Sequence, residues 1–260
     1  MNINKLKYVI VSPGGNDTAL VEGVNFSKDE RKEINDYIMN KNKNVEQVGF
    51  IDKEKYILKM AGGEFCGNAT RSAAYIFLDG KEGTIKVKVN EDEKEVLAGV
   101  TEDKKAWCSI PLYLGEDAIT KLEEDMYKVK MQGMTTIVIR ENLSKKYLQN
   151  KQSLKEKTNK IIDKLMLRDK EAVGVMYTEK EEEKIKMTPV VWVKSIDTLF
   201  LETACGSGST AVGMIESYIK NKSSIIDIIQ PSGKIITTEN TFLNGKILTA
   251  KIIGEIEIKL

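Results

Sequence analysis

Apolar residues run in short alternating stretches through most of the chain, broken at intervals by segments with helical spacing. Lys7 to Ser12 and Thr18 to Val24 read as β-runs joined by the turn Pro13-Gly14-Gly15-Asn16. Ser27 with Glu30 three residues on forms a capping box, and the helix behind it puts Ile34, Tyr37 and Ile38 on one face. Gln47 to Ile51 and Tyr56 to Met60 are strand-like. From Gly67 onward Ala69, Ala73, Ile76 and Phe77 recur at helical spacing, with Gly80 as a C-cap signal just past the end. Thr84 to Val89, Glu95 to Val100 and Trp107 to Leu112 predict further strands.

Near Leu114-Gly115-Glu116 the pattern starts over. Strands are predicted at Tyr127 to Met131 and Thr135 to Ile139, a polar helix from about Ser153 to Leu167, and strands at Val173 to Thr178 and Pro189 to Val193. Glu179 to Lys184 is read as a solvated hairpin tip. A second helix follows Cys205, with Ala211, Met214, Ile215 and Tyr218 on one face. Gln230-Pro231-Ser232-Gly233 is a turn, and Ile256, Ile258 and Leu260 alternate with charged residues as a half-buried strand. The order strands, helix, strands, Cys-Gly helix, strands therefore occurs twice. It predicts an α+β fold of two halves related by a pseudo-two-fold, each with one long helix opening at its Cys-Gly. The expected boundaries are 1–114, 115–245, and a last strand at 246–260 that returns to the N-terminal half.

Composition narrows the function classes. The 260 residues are 41% hydrophobic and 30% charged with a net charge of +1, so neither nucleic acid nor an anionic membrane is an expected partner. The first residues read as a strand rather than a signal peptide, and no apolar run approaches a membrane span, so a cytoplasmic protein with reduced cysteines is expected. A homodimer is the default oligomer. There are three cysteines and no histidine. No Cys-x-x-Cys spacing suggests a metal site, and histidine-based triads are excluded, so proton chemistry near neutral pH falls to cysteine, carboxylate, lysine or tyrosine.

Two cysteines, roughly half the chain apart, stand in similar settings: Glu64-Phe65-Cys66-Gly67-Asn68-Ala69-Thr70 and Glu202-Thr203-Ala204-Cys205-Gly206-Ser207-Gly208. Each opens a helix, where backbone N–H groups attract anions and thiolates are stabilised. If both helix starts face one cavity, a substrate carboxylate can sit on the N–H groups with its Cα between the sulfurs. One thiolate then removes the Cα proton and the opposite thiol returns one, with the N–H donors stabilising the carbanion. This route needs no cofactor, and no pyridoxal phosphate signature is evident. Cys108, in a strand without a neighbouring glycine, is expected to be a packing residue. Arg71, one turn into the first cysteine helix, carries no assignment and can face solvent.

The two cysteine segments, with Pro13-x-Gly15-Asn16 and Gln230-Pro231-x-Gly233 in the same order, resemble the signatures of the diaminopimelate epimerase superfamily. The resemblance implies two pseudo-symmetric halves, each a mostly antiparallel sheet wrapped around a long central helix, and a cofactor-independent amino-acid racemase. Diaminopimelate epimerases hold the distal end of their substrate with extra asparagines and a Glu-Arg pair. The corresponding regions here, at Gln132-Gly133-Met134, Ala172-Val173-Gly174 and Thr198 to Leu201, contain neither. Glu46 to Ile51 and the two cysteine segments are instead similar to the histidine racemases of opine-metallophore biosynthesis. That likeness implies Cys66 and Cys205 as the two bases, with L-histidine converted to D-histidine. It implies Glu46 as a pocket carboxylate for the substrate's ammonium or imidazole, and Asn16, Gly67, Asn68, Glu202, Gly206 and Ser207 as further substrate-binding positions. Asn16 can equally serve the turn alone, Asn68 the helix start, and Glu202 a lysine on the rim. The alternatives are an epimerase or racemase with another amino-acid substrate and, in a different class, a thiol redox sensor or a non-catalytic amino-acid-binding protein.

Overall fold

The computed structural model describes residues 6–89, 94–144, 147, 149–194 and 197–259. The chain divides into two compact units, residues 1–110 with 251–260, and residues 111–250. Among the described residues no helix is long and apolar enough to cross a membrane.

The first unit runs β1 (Tyr8–Pro13), β2 (Asp17–Glu22), α1 (Lys28–Lys41), β3 (Val45–Asp52), β4 (Ile57–Met60), α2 (Gly67–Phe77), β5 (Gly83–Val89), β6 (Lys94–Val100) and β7 (Ala106–Ser109). The second continues with β8 (Ile119–Glu123), β9 (Met126–Met131), β10 (Met134–Ile139), α3 (Lys151–Lys164), β11 (Ala172–Glu181), β12 (Lys184–Val193), β13 (Thr198–Leu201), α4 (Gly206–Lys220), β14 (Ser224–Ile229) and β15 (Ile235–Leu243). β16 (Lys246–Gly254) carries the chain back, and from Lys251 on it pairs with β7 in the first unit. β17 (Ile256–Lys259) then pairs with β1.

The class is α+β with mixed sheets. In the first unit the spatial order is β17-β1-β2-β3-β4-β5-β6-β7-β16. In the second it is β8-β9-β10-β11-β12, with β13 and β14 on different stretches of the far edge of β12 and β15 beyond β14. Parallel neighbours cannot be joined by a hairpin and need a crossover. Each parallel pair here has a helix in its connection: α1 between β2 and β3, α2 between β4 and β5, α3 between β10 and β11, α4 between β12 and β14. The cysteine helices α2 and α4 are thus both crossovers, and their N-termini are set by the strands that precede them.

Alternation sorts the second unit's core onto two faces of its sheet. Ile137, Val173, Val175, Tyr177, Val190 and Trp192 pack with Leu154 and Ile162 of α3. Val138, Met176, Met187 and Val191 point the other way, onto Ala211, Val212, Met214 and Ile215 of α4. In the first unit Ile34 and Ile38 of α1 pack on Ala19, Val21, Val48 and Phe50, while α2 lies against β1, β2 and β4 to β7. The Ser27–Glu30 capping box is formed reciprocally.

α4 lies tightly on β15. A Cβ on Gly213 would sit 2.0 Å from Thr238 Oγ1 and 2.5 Å from Asn240 Nδ2, both on fully buried or nearly buried side chains. Gly213→Ala is therefore expected to destabilise the protein by about 1–3 kcal/mol through overpacking, despite alanine's better helix propensity. A urea midpoint as high as that of the wild type would contradict this.

Several sequence expectations change. The Glu179 to Lys184 tip is shorter, because β11 and β12 pair out to Glu181 and Lys184. Residues 246–259 form two strands with a break at Glu255, rather than one. Strands β8, β13, β14 and β15 carried no strand assignment. Arg71 is fully buried, not solvent-facing. Leu260 lies outside the described residues.

Candidate active site

Cys66 is the N-cap of α2, with φ −129° and ψ 112°. Its Sγ accepts the Ala69 N–H at 3.4 Å, and its carbonyl takes both the N–H of Thr70, at 2.9 Å, and the Thr70 hydroxyl, at 2.8 Å. An N-cap oxygen normally satisfies one of a helix's first N–H groups; here a sulfur does. The residue is half-buried. Gly67 is required by packing: a Cβ there would meet Ile252 Cδ1 at 2.9 Å and Ile110 Cδ1 at 3.0 Å.

A hydrogen-bonded chain leads from Cys66 to Glu46. The thiol donates to Gln47 Oε1 at 3.2 Å. Gln47 Nε2 donates to Asn16 Oδ1 and to Thr18 Oγ1, each at 2.7 Å. Asn16 Nδ2 donates to Glu46 Oε2 at 2.5 Å. Both amides are therefore oriented: Gln47 has its nitrogen committed to two acceptors and turns its oxygen to the sulfur. Adjacent strand residues ordinarily point to opposite faces, yet Glu46 and Gln47 both reach Asn16. The register explains it, because Asp17 pairs with Val45 and Thr18 with Gln47, which leaves Glu46 as the extra residue of a bulge.

Behind the thiol lies Arg71. Its guanidinium donates to Asn68 Oδ1 from Nε and from Nη2 at 3.3 Å, and to the Glu255 carbonyl from Nη1 at 3.3 Å. Burial pulls it down to about 10, while the Cys108 and Cys66 sulfurs act in the opposite sense. It thus stays charged at neutral pH. Cys108 is fully buried and donates to the Gly67 carbonyl at 3.3 Å. Desolvation pushes its thiol up to about 12, so it remains protonated and packs.

Cys205 is the N-cap of α4, with φ −129° and ψ 110°. Its Sγ accepts the Gly208 N–H at 3.3 Å, and its carbonyl takes the Ser209 N–H at 2.9 Å and the Ser209 hydroxyl at 2.7 Å. Its own N–H donates to Gln230 Oε1 at 3.0 Å, and Gln230 Nε2 returns to Ser209 Oγ at 3.0 Å and the Ile228 carbonyl at 3.1 Å. Gln230 therefore clamps the backbone at the helix start, a role for the turn that its proline and glycine alone do not reveal. Ser207 and Glu202 are half-buried, and the Glu202 N–H is held by the Pro189 carbonyl at 3.3 Å.

The first unit therefore brings Asn16, Glu46, Gly67 and Asn68 around Cys66; in the second, Gly206 and Ser207 open α4 directly after Cys205, while Glu202 lies three residues before it with its backbone held by Pro189. Sequence reasoning passed over Gln47, Thr18, Arg71, Thr70 and Ser209. The last two had a readable signal, a hydroxyl residue four positions after each cysteine. A groove of about 920 Å3 in the second unit is lined by charged residues such as Arg140, Glu179, Lys184 and Glu216 and includes neither cysteine. No cluster of metal-ligating side chains occurs among the described residues.

A family model described as the histidine racemase CntK N-terminal domain matches residues 5–259. A histidine racemase of Fusobacterium nucleatum subsp. nucleatum is 29% identical over 263 residues, covering 94% of this chain and 95% of its own. Among solved structures, a phenazine biosynthesis protein of the PhzF family from Enterococcus faecalis aligns with TM-score 0.62 at 12% identity, over 98% of this chain and 97% of the other. A hydroxyproline epimerase from Agrobacterium vitis, solved with bound trans-4-hydroxy-L-proline, aligns with TM-score 0.56 at 11% identity, over 98% and 90%. At such identities the structural likeness is one of fold.

Proposed function

The chain belongs to the family of the histidine racemase CntK N-terminal domain and is an isomerase of the racemase type, and we propose that it inverts the Cα of free histidine with Cys66 and Cys205 as the two acid–base groups. One observation carries this reading. The two cysteines, in different units, have nearly the same backbone angles and the same hydrogen bonds: an N–H three residues on to the sulfur, and an N–H and a hydroxyl four residues on to the carbonyl. Packing alone gives no reason to build this arrangement twice.

On this reading the two units are pseudo-symmetric halves, each with its sheet around a central cysteine helix, and turnover requires both thiols to reach the Cα of one substrate. The substrate carboxylate lies on the helix-start N–H groups of Gly67, Asn68, Gly206 and Ser207. Sγ of the thiolate takes the Cα proton, the electron pair stays on the substrate as a carbanion delocalised into the carboxylate, and the second thiol gives its proton to the opposite face. The enzyme ends with thiol and thiolate exchanged, so each cysteine must be competent in both states. Cys66 has a partner for each: the Ala69 N–H for the thiolate, the Gln47 carbonyl for the thiol. Glu46 binds the substrate's ammonium or imidazole, with Asn16 and Glu202 completing the pocket.

The test is incubation of the reduced protein with L-histidine in deuterium oxide. Loss of the Cα–H signal together with appearance of D-histidine on a chiral column is expected. Exchange with diaminopimelate or another amino acid, and none with histidine, would overturn the substrate assignment.

A further inference from the structure

Arg71 is an expensive residue. A buried charge is tolerated when an opposite charge meets it, and all three of its hydrogen bonds go to neutral oxygens: two to the Asn68 amide and one to the Glu255 carbonyl. Among the described residues it forms no ion pair with a carboxylate. The acid on β2, Asp17, is bound to Lys259 instead. Its helix makes matters worse. A side chain in an α-helix leans toward the N-terminus, and the bonds to Asn68, three residues back, put the guanidinium in the first turn, where the helix dipole already repels a cation.

The groups whose charge acts on the guanidinium are Cys108 on β7 and Cys66 at the start of its own helix. Cys108 is buried, protonated and committed to the Gly67 carbonyl. Among the described residues, that leaves Cys66 as the neighbour able to supply the missing negative charge. The opposing groups are Gln47, whose carbonyl favours the protonated thiol, and the Glu46 carboxylate further along that chain.

We infer that Arg71 is the buried counter-charge of the Cys66 thiolate, a positioning residue that poises this thiol as a base and orients Asn68 beside it. The inference rests on Cys66 being one of the two bases. It makes the two halves chemically unequal, because the matching position in α4, five residues after Cys205, is Thr210, whose hydroxyl is spent on the Gly206 carbonyl at 3.0 Å. The arginine is a feature of one helix start only.

Alkylation of Cys66 by iodoacetamide across pH, followed by peptide mass spectrometry, tests this without any substrate. In the wild type, Cys66 is expected to titrate below the value of about 8.5 for a free cysteine. Arg71→Met and Arg71→Gln are expected to raise the midpoint by about one unit, a tenfold loss of thiolate at neutral pH, and Arg71→Lys to restore most of it. Cys108 serves as an internal gauge of folding, since it is alkylated only if the unit opens. Arg71→Gln keeps donors for Asn68 and removes only the charge, so it stands in if the methionine variant unfolds. A wild-type Cys66 midpoint at or above 8.5, or an unchanged midpoint in a folded charge-removing variant, would overturn the inference. Neither outcome depends on racemisation. Failure of the histidine exchange with a normal Arg71 effect would sink the racemase reading alone.

Discussion

Cys66→Ser and Cys205→Ser are each expected to lower histidine inversion by roughly a hundredfold to ten-thousandfold, the usual worth of a positioned general acid or base. Serine is itself a good N-cap, so the helix starts at Cys66 and Cys205 should survive and the loss should not be one of folding. The diagnostic readout is exchange without inversion. On the two-thiol reading, with Cys66 replaced the Cys205 thiolate would still take a proton from the enantiomer that presents its Cα–H to that side, and return deuterium to the same face. That variant should wash deuterium into one enantiomer with little racemisation, and Cys205→Ser should do so with the other. The double variant should do neither, and its loss will not be the sum of the single losses. If turnover needs one thiolate and one thiol together, as the two-thiol reading has it, the wild-type rate should rise and then fall with pH, with midpoints that belong to the pair. Inversion at the wild-type rate in both single variants would end the two-thiol reading.

The legibility of this site in the sequence follows from which interactions are local. The capping box at Ser27, the helix after each cysteine and the strand alternation are set by neighbours a few positions apart, and all were readable. The N-cap sulfur bonds of Cys66 and Cys205 are also local, spanning three residues. What could not be read depends on tertiary register. Gln47 looked like an ordinary strand residue beside Glu46, and the period-two rule puts such neighbours on opposite faces. Only the bulge against Asp17 and Thr18 aims both at Asn16. Arg71 was unreadable for a similar reason. Arginine one turn into a helix is usually solvated, and its burial comes from β-strands far along the chain, including the Glu255 carbonyl between β16 and β17. Strands β14 and β15 were missed because their half-exposed alternation, as in Ile225 beside Ile226, blurs the contrast that marks a strand.

Glu46→Gln is expected to cut kcat/KM for histidine by roughly tenfold to 150-fold, the equivalent of the 1.5–3 kcal/mol carried by a hydrogen bond to a charged group. A carboxylate has about four acceptor sites, and Asn16 Nδ2 takes one of them, at 2.5 Å. That contact fixes the carboxylate's direction. Glutamine preserves the shape and can still accept from Asn16, so the variant removes charge rather than architecture. If Glu46 holds the substrate equally in the ground and transition states, KM should carry the loss and kcat should stay near wild type. The pH dependence sharpens the assignment. If Glu46 meets the imidazole, the carboxylate favours its protonated form, so the wild-type KM for histidine should be lowest below the imidazole's value of about 6.5 and climb above it, and the glutamine variant should show a flatter profile; if Glu46 meets the ammonium, no such step is expected there. An amino acid without a basic side chain should be nearly indifferent to the change if Glu46 meets the imidazole, and should suffer equally if Glu46 meets the ammonium. An unchanged kcat/KM for histidine would remove Glu46 from the pocket, and with it the main residue-level support for histidine as the substrate.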